Sequence, residues 1–166
     1  VGTINVNCHY SPLNRYTDTP YSGRKNCLGP VSRWVGIVMI LSFWSFNWTI
    51  PGLRTHWGFF PLWVGYCLFV SSLVSSRSKS SLLTRNCWAY LGLFLISIPS
   101  WWLFELINWH TKNWFYQGKE YFSSIGFFFL SSLSFSVVMP AVFSTAELVG
   151  TFSWVKKLTT GPRFTL

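Results

Sequence analysis

The chain has 166 residues, half of them hydrophobic, a fifth aromatic and only 10% charged. Soluble domains average about 25% charged residues, so the composition excludes an ordinary water-soluble domain and points to a membrane protein. The net charge of +9 reflects a scarcity of acids, since Asp18, Glu105, Glu120 and Glu147 are the only four. The basic residues lie between and beside apolar runs rather than in a dense patch, which favours an anionic membrane surface over nucleic acid as the partner.

Residues 1–30 are rich in Asn, Ser, Thr, Tyr, Pro and Gly and carry no helical or strand period. Such a segment buries too little apolar area to fold alone, and reads as an irregular tail, disordered or laid over a partner. It lacks the basic-then-apolar order of a signal peptide. Cys8, His9 and Cys27 would supply three metal ligands, but there is no C-x-x-C spacing and no clear fourth ligand, so ordinary thiols are expected. The start at Val1 without Met, and the stop soon after Gly161-Pro162, fit a processed or partial sequence that continues past Leu166.

Four apolar runs follow, and the expected fold is an all-α membrane domain over residues 31–155 with four transmembrane helices. The first is Trp34–Ile50, ended by Pro51-Gly52. The second is about Phe59–Ser75, with Pro61 in its first turn, where a missing N–H costs little. The third is Trp88–Trp109. The fourth, about Phe122–Trp154, exceeds what a bilayer needs and holds Pro140, which predicts tilt, a kink at that proline, or an end along the interface. A short basic tail, 156–166, closes the chain.

Charge sets the expected orientation. Arg15, Arg24, Lys25 and Arg33 precede the first run; Arg77, Lys79 and Arg85 lie between the second and third; Lys156, Lys157 and Arg163 follow the fourth. These ten of the 13 basic residues share one side, against Arg54, Lys112 and Lys119 on the other. The positive-inside rule then puts both termini on the cytoplasmic side of a bacterial inner membrane, or the equivalent side of an organelle inner membrane. Tryptophans agree: Trp34, Trp88 and Trp154 mark the inner ends, while Trp48, Trp57, Trp63, Trp109 and Trp114 cluster at the outer ends with Phe115, Tyr116, Tyr121 and Phe122. Indoles prefer the headgroup level, so these read as two belts.

The third run carries the one carboxylate inside apolar sequence, Glu105. At helical spacing Trp101, Trp102, Glu105, Asn108 and Trp109 share a side, because positions three and four apart are neighbours. A charge in lipid costs at least ~2.5 kcal/mol, so this face should meet protein or water. Two readings are open for it. In the first, Glu105 carries a proton, holds an ion or anchors a substrate. In the second it accepts hydrogen bonds from indoles, Asn108 or a basic group of the outer loops, for which Arg54, His56, His110 and Lys112 are the candidate partners. The second is favoured, because no further carboxylate or in-span histidine continues a proton path.

A metal shared by His56, His110 and Glu105 is the weaker alternative for two loop histidines without fixed spacing. Glu147 falls near the opposite end of the membrane from Glu105, so no carboxylate dyad is expected; it reads as an interfacial acid near basic residues. Ser71/Ser75, Ser72/Ser76 and Ser132/Ser136, with Gly65 and Gly126, form small-xxx-small faces suited to close helix packing. The sequon Asn47-Trp48-Thr49 lies in an apolar run and should be unused. There is no Walker A loop, dinucleotide fingerprint, His-Glu-x-x-His or serine-hydrolase elbow.

The strings WGFFPLWVGY at 57–66, SLLTR at 81–85, WWLFELINW at 101–109 and PAVFSTAEL at 140–148 resemble a bacterial family of polytopic membrane proteins of unassigned function. The resemblance covers about residues 57–150. It implies longer proteins with further spans and transfers no catalytic residue.

The expected function is therefore non-catalytic: an accessory subunit of a larger membrane complex, respiratory or photosynthetic, packing helices and lipid. With no in-span histidine to ligate a haem, no cofactor of its own is expected, only contact with lipid or with a partner's quinone, carotenoid or chlorophyll. Its expected partners are other membrane subunits and lipids. The competing class is a small membrane enzyme or transporter for an apolar substrate, centred on Glu105 with Trp101, Trp102 and Asn108 lining the site.

Overall fold

A computed structural model describes residues 28–50 and 54–158, and among these the regular structure is all helical. The expectations placed on the tail with Cys8, His9 and Cys27, on Pro51-Gly52 and on 159–166 lie outside the described residues. The helices are α1 (Leu28–Thr49), α2 (Arg54–Ser78), the single turn α3 (Leu82–Arg85), α4 (Cys87–Thr111), α5 (Ser124–Ser136), α6 (Val138–Gly150) and α7 (Ser153–Leu158). Three helical stretches are long and apolar enough to cross a membrane: Trp57–Ser78, Cys87–Thr111 and Ser124–Gly150. The expected first span is not among them. Arg33, Asn47 and the serines of α1 dilute its apolar residues.

Helices α1 and α2 form an antiparallel hairpin whose backbones touch. A Cβ on Gly36 would stand 2.7 Å from the Gly65 carbonyl oxygen and 2.8 Å from the Phe69 nitrogen. One on Gly65 would meet the Met39 Cβ at 2.7 Å. Small residues permit this approach, and it identifies α1 as the partner of the small position at Gly65. The hairpin also joins the Arg33 guanidinium to the Ser76 hydroxyl. Helix α2 starts before the apolar run does, so Pro61 sits inside the helix instead of in its first turn. Its missing N–H orphans the Trp57 carbonyl, close to the helix end.

Helix α2 packs on α6, and α4 packs on both α5 and α6. Tyr66 Oη bonds Thr145 Oγ1 at 2.8 Å, and Tyr90 Oη bonds Ser144 Oγ at 2.9 Å. At the basic end, Arg77 Nε donates to Thr151 Oγ1 at 2.7 Å while its guanidinium covers the Phe152 ring. Glu147 joins the same end. One oxygen pairs with Arg85 at 2.6 Å and the other accepts the Leu82 N–H that opens α3, at 2.9 Å. An anion at a helix start satisfies an orphan donor.

The fourth apolar run is two helices, broken at Val137. The sequence points to Pro140 as the kink, and the ladder opens three residues before it. Proline cannot bond back to Ser136, and its ring crowds that carbonyl, so the preceding turn gives way. Ser97 of α4 enters the opening. Its hydroxyl donates to the Phe135 carbonyl at 2.5 Å and accepts the Met139 N–H at 3.1 Å. Those two backbone groups, four residues apart, would bond each other in an unbroken helix. A side chain from a neighbouring helix stands between them, a known cause of sharp bends.

The interior is polar and small, the exterior large and apolar. Ser71, Ser72, Ser81, Ser97, Ser131, Ser136 and Ser144 are buried, alongside a modest apolar cluster built on Cys67, Tyr90 and Ala141. By contrast Leu95, Ile125 and Phe129 are 72%, 71% and 67% exposed. A water-soluble bundle would reverse this arrangement; helices that meet in lipid pack small faces inward and need no apolar core. Both expected aromatic belts contain strongly exposed indoles, with Trp34 and Trp88 at one end and Trp48, Trp57 and Trp109 at the other. Trp63 and Trp114 depart from that pattern and turn inward. Trp63 packs on Phe59, Tyr66 and the apolar cluster.

Candidate functional site

Helix α4 ends on Lys112, whose backbone takes the left-handed conformation (φ 51°) and donates to the Asn108 carbonyl at 2.7 Å. That cap turns the chain back along the helix it has just left. Asn108, buried, then holds the returning strand by both ends of its amide. Nδ2 donates to the Trp114 carbonyl at 3.0 Å, and Oδ1 accepts the Trp114 N–H at 3.1 Å. The side-chain amide thus acts as one more backbone unit, satisfying a peptide group that would otherwise be stranded near the membrane.

With Trp114 so placed, two loop side chains converge on Glu105. Trp114 Nε1 donates to Oε1 at 3.1 Å, and the Tyr116 hydroxyl donates to the same oxygen at 2.5 Å. Partial burial, and after it the Glu105 carboxylate, push the Tyr116 phenol up to about 12, because a phenolate there would lose solvent and face a like charge. The tyrosine therefore remains a donor through the physiological range.

The five residues of the sequence-defined face have separate roles. Trp101 and Trp102 hold Phe135 between them, ring centres 5.7 and 5.4 Å away. Trp102 also stacks on Phe128 at 5.0 Å and donates to Ser132 Oγ at 3.0 Å, anchoring α4 to α5. Glu105 and Asn108 bind the loop. Trp109 is 74% exposed, its ring beside His110.

Of the expected outer partners, His110 is exposed and its Nδ1 lies 3.4 Å from the Leu106 carbonyl of its own helix. Lys112 supplies the cap. Arg54 and His56 begin α2, and their side chains lie outside the described part. The groups that do bind Glu105, Trp114 and Tyr116, are nine and eleven residues further along, on a loop whose fold no period announces. The signal available was the aromatic run Trp114-Phe115-Tyr116 following the polar Thr111-Lys112-Asn113. Among the described residues no histidine or second carboxylate bonds to Glu105.

Two cavities flank this cluster. One, about 850 Å³, is bordered by Glu105, Trp109, Lys112, Phe115 and Lys119. The other, about 530 Å³, is bordered by residues of α1, α2, α4, α5 and α6, Asn47 among them, and by the loop residues Gln117–Lys119. Its wall is mainly aromatic and aliphatic, with Trp101 and Phe127 on facing helices. Trp101 Nε1 is buried and has no hydrogen-bond acceptor among the described residues. The carboxylate of Glu105 is thus held by two donors that fix it. No known protein family, curated protein or solved structure matches this chain.

Proposed function

We propose that the chain is a four-span subunit of a larger membrane complex, both termini on the basic side, with a structural and non-catalytic role. In this reading α1 is the remaining span, carried across as half of the glycine-contact hairpin with α2. The membrane is a bacterial inner membrane or its organelle equivalent, and the complex is respiratory or photosynthetic. The chain packs helices and lipid, and meets a partner's quinone, carotenoid or chlorophyll along its apolar faces.

The observation that carries this reading is the uncovered surface of α4. Only 11% of its membrane-crossing window is buried within the chain, and Leu91, Ile96, Leu103, Phe104 and Ile107 are each half exposed or more. A long aromatic-rich helix at the side of a bundle offers a broad surface for neighbouring helices. The engagement of Glu105 by Trp114 and Tyr116 supports the same reading, since a carboxylate held by fixed donors organises a loop.

Extraction in a mild detergent tests it. The chain should co-purify with other membrane subunits in constant stoichiometry. A stable homogeneous monomer or homo-oligomer would refute the proposal and favour the second reading, a small transporter or enzyme for an apolar substrate. That reading draws on the cavity of about 850 Å³ beside Glu105.

A further inference from the structure

We infer that the cavity of about 530 Å³ is a binding site for one acyl chain bearing an anionic oxygen headgroup. The inference does not rest on the subunit reading, since the cavity belongs to this chain alone. Three observations converge on that chemistry. The volume lies within the ~300–1,000 Å³ range of small-molecule sites and suits a single long chain rather than a two-chain lipid. The wall is apolar along its length, where Phe59, Leu130, Phe135 and Val138 supply contact to methylenes.

Two donors border the cavity. Trp101 Nε1 is a buried donor without an acceptor among the described residues, and such a group is costly until an acceptor reaches it. Lys119 borders the cavity from the loop, its ammonium 4.9 Å from the centre of the Phe127 ring. An indole N–H within and an ammonium at the rim favour an oxygen anion over a neutral hydrocarbon, and Asn47 Oδ1 on the same wall, without a partner among the described residues, leaves room for a hydroxyl beside it. A bridging water is the simpler occupant to exclude. It needs two to four polar partners, and Asn47, Ser131 and Ser134 border the same cavity, so the labelling experiment has to exclude it.

A free fatty acid and the single leg of an anionic phospholipid would present the same chemistry. The test uses the full chain in phosphatidylcholine nanodiscs with three photoreactive diazirine probes: palmitate, phosphatidylglycerol labelled in one acyl chain, and hexadecane. Labelled residues are mapped by peptide mass spectrometry. Palmitate or the phosphatidylglycerol should label Leu130 and Phe135 saturably, with competition by the unlabelled compound. Labelling by palmitate alone identifies a free acid as the ligand; labelling by both identifies a lipid leg.

Ser134→Phe, which fills the cavity, should abolish this labelling, whereas Leu133→Phe on the exposed side of α5 should not. Trp101→Phe removes the N–H together with part of the indole that packs on Phe104 and Phe135, and should weaken competition by palmitate at least ~10-fold, the share expected for one hydrogen bond to a charged group. It keeps the test decisive if Ser134→Phe does not fold. Labelling confined to lipid-facing residues such as Leu95 and Phe129 would overturn the inference. So would equal labelling by hexadecane with no effect of Trp101→Phe.

Discussion

Glu105 separates a structural from a titrating role through two substitutions. Glu105→Gln preserves shape and an acceptor for Trp114 and Tyr116, and should assemble nearly as well as the native chain. Glu105→Leu takes the acceptor from the part-buried Trp114 N–H, at a cost of ~1–3 kcal/mol, while Tyr116, 40% exposed, can turn to solvent; assembly should fall. Assembly yield and activity of the parent complex measure the difference; a fully assembled but inactive Gln variant would establish the titrating role. Tyr116 gives a pH test of the same contact. Its pKa rises from the ordinary value near 10 to about 12 in the fold. The neutral phenol is the favoured form, so its stabilising contribution is complete below pH ~10 and lost as pH climbs toward ~12. A phenolate titration of the native chain against Tyr116→Phe should show one tyrosine ionising in that upper window. At this scale the sequence made Glu105 and Asn108 visible, because a carboxylate and an amide stand out within an apolar run. Their partners were not visible, because Trp114 is positioned by a left-handed cap at Lys112 and a loop reversal, neither of which has a periodic signature.

The helices were legible where apolar length decides them and less so where they bend. Proline marks α5 and α6 as bent, but the opening falls at Val137 because a neighbouring hydroxyl is available there, and that depends on which serine of α4 comes alongside. Ser97→Ala should therefore leave the Met139 N–H unpaired and take one of the two donors from the Phe135 carbonyl, which keeps the Val137 N–H. The expected loss is ~1–3 kcal/mol in thermal or denaturant unfolding in micelles. Ser100→Ala, which removes only a bond to the Ile96 carbonyl of its own helix, serves as the comparison and should cost little. The hairpin is similarly exacting. Gly65→Leu must displace Met39, and overpacking of this kind costs ~1–3 kcal/mol, read as earlier separation of α1 from α2.

For the molecule as a whole, the ten-to-three division of basic residues sets a topology test. In a background without Cys8, Cys27, Cys67 and Cys87, Phe115→Cys should react with an impermeant thiol reagent in intact cells, and Ser80→Cys should resist it. Reaction at position 80 from outside would invert the assignment. The hydroxyl of Ser97 has a consequence for how such a chain is made. Chains emerge from the ribosome N-terminus first, so α4 is made before α5 and α6 are. An N–H left bare in an apolar surrounding is costly by several kcal/mol, so the α5–α6 stretch is a poor passenger on its own. The serine that completes it is already made when it arrives, and the order of synthesis thereby becomes part of the folding instruction.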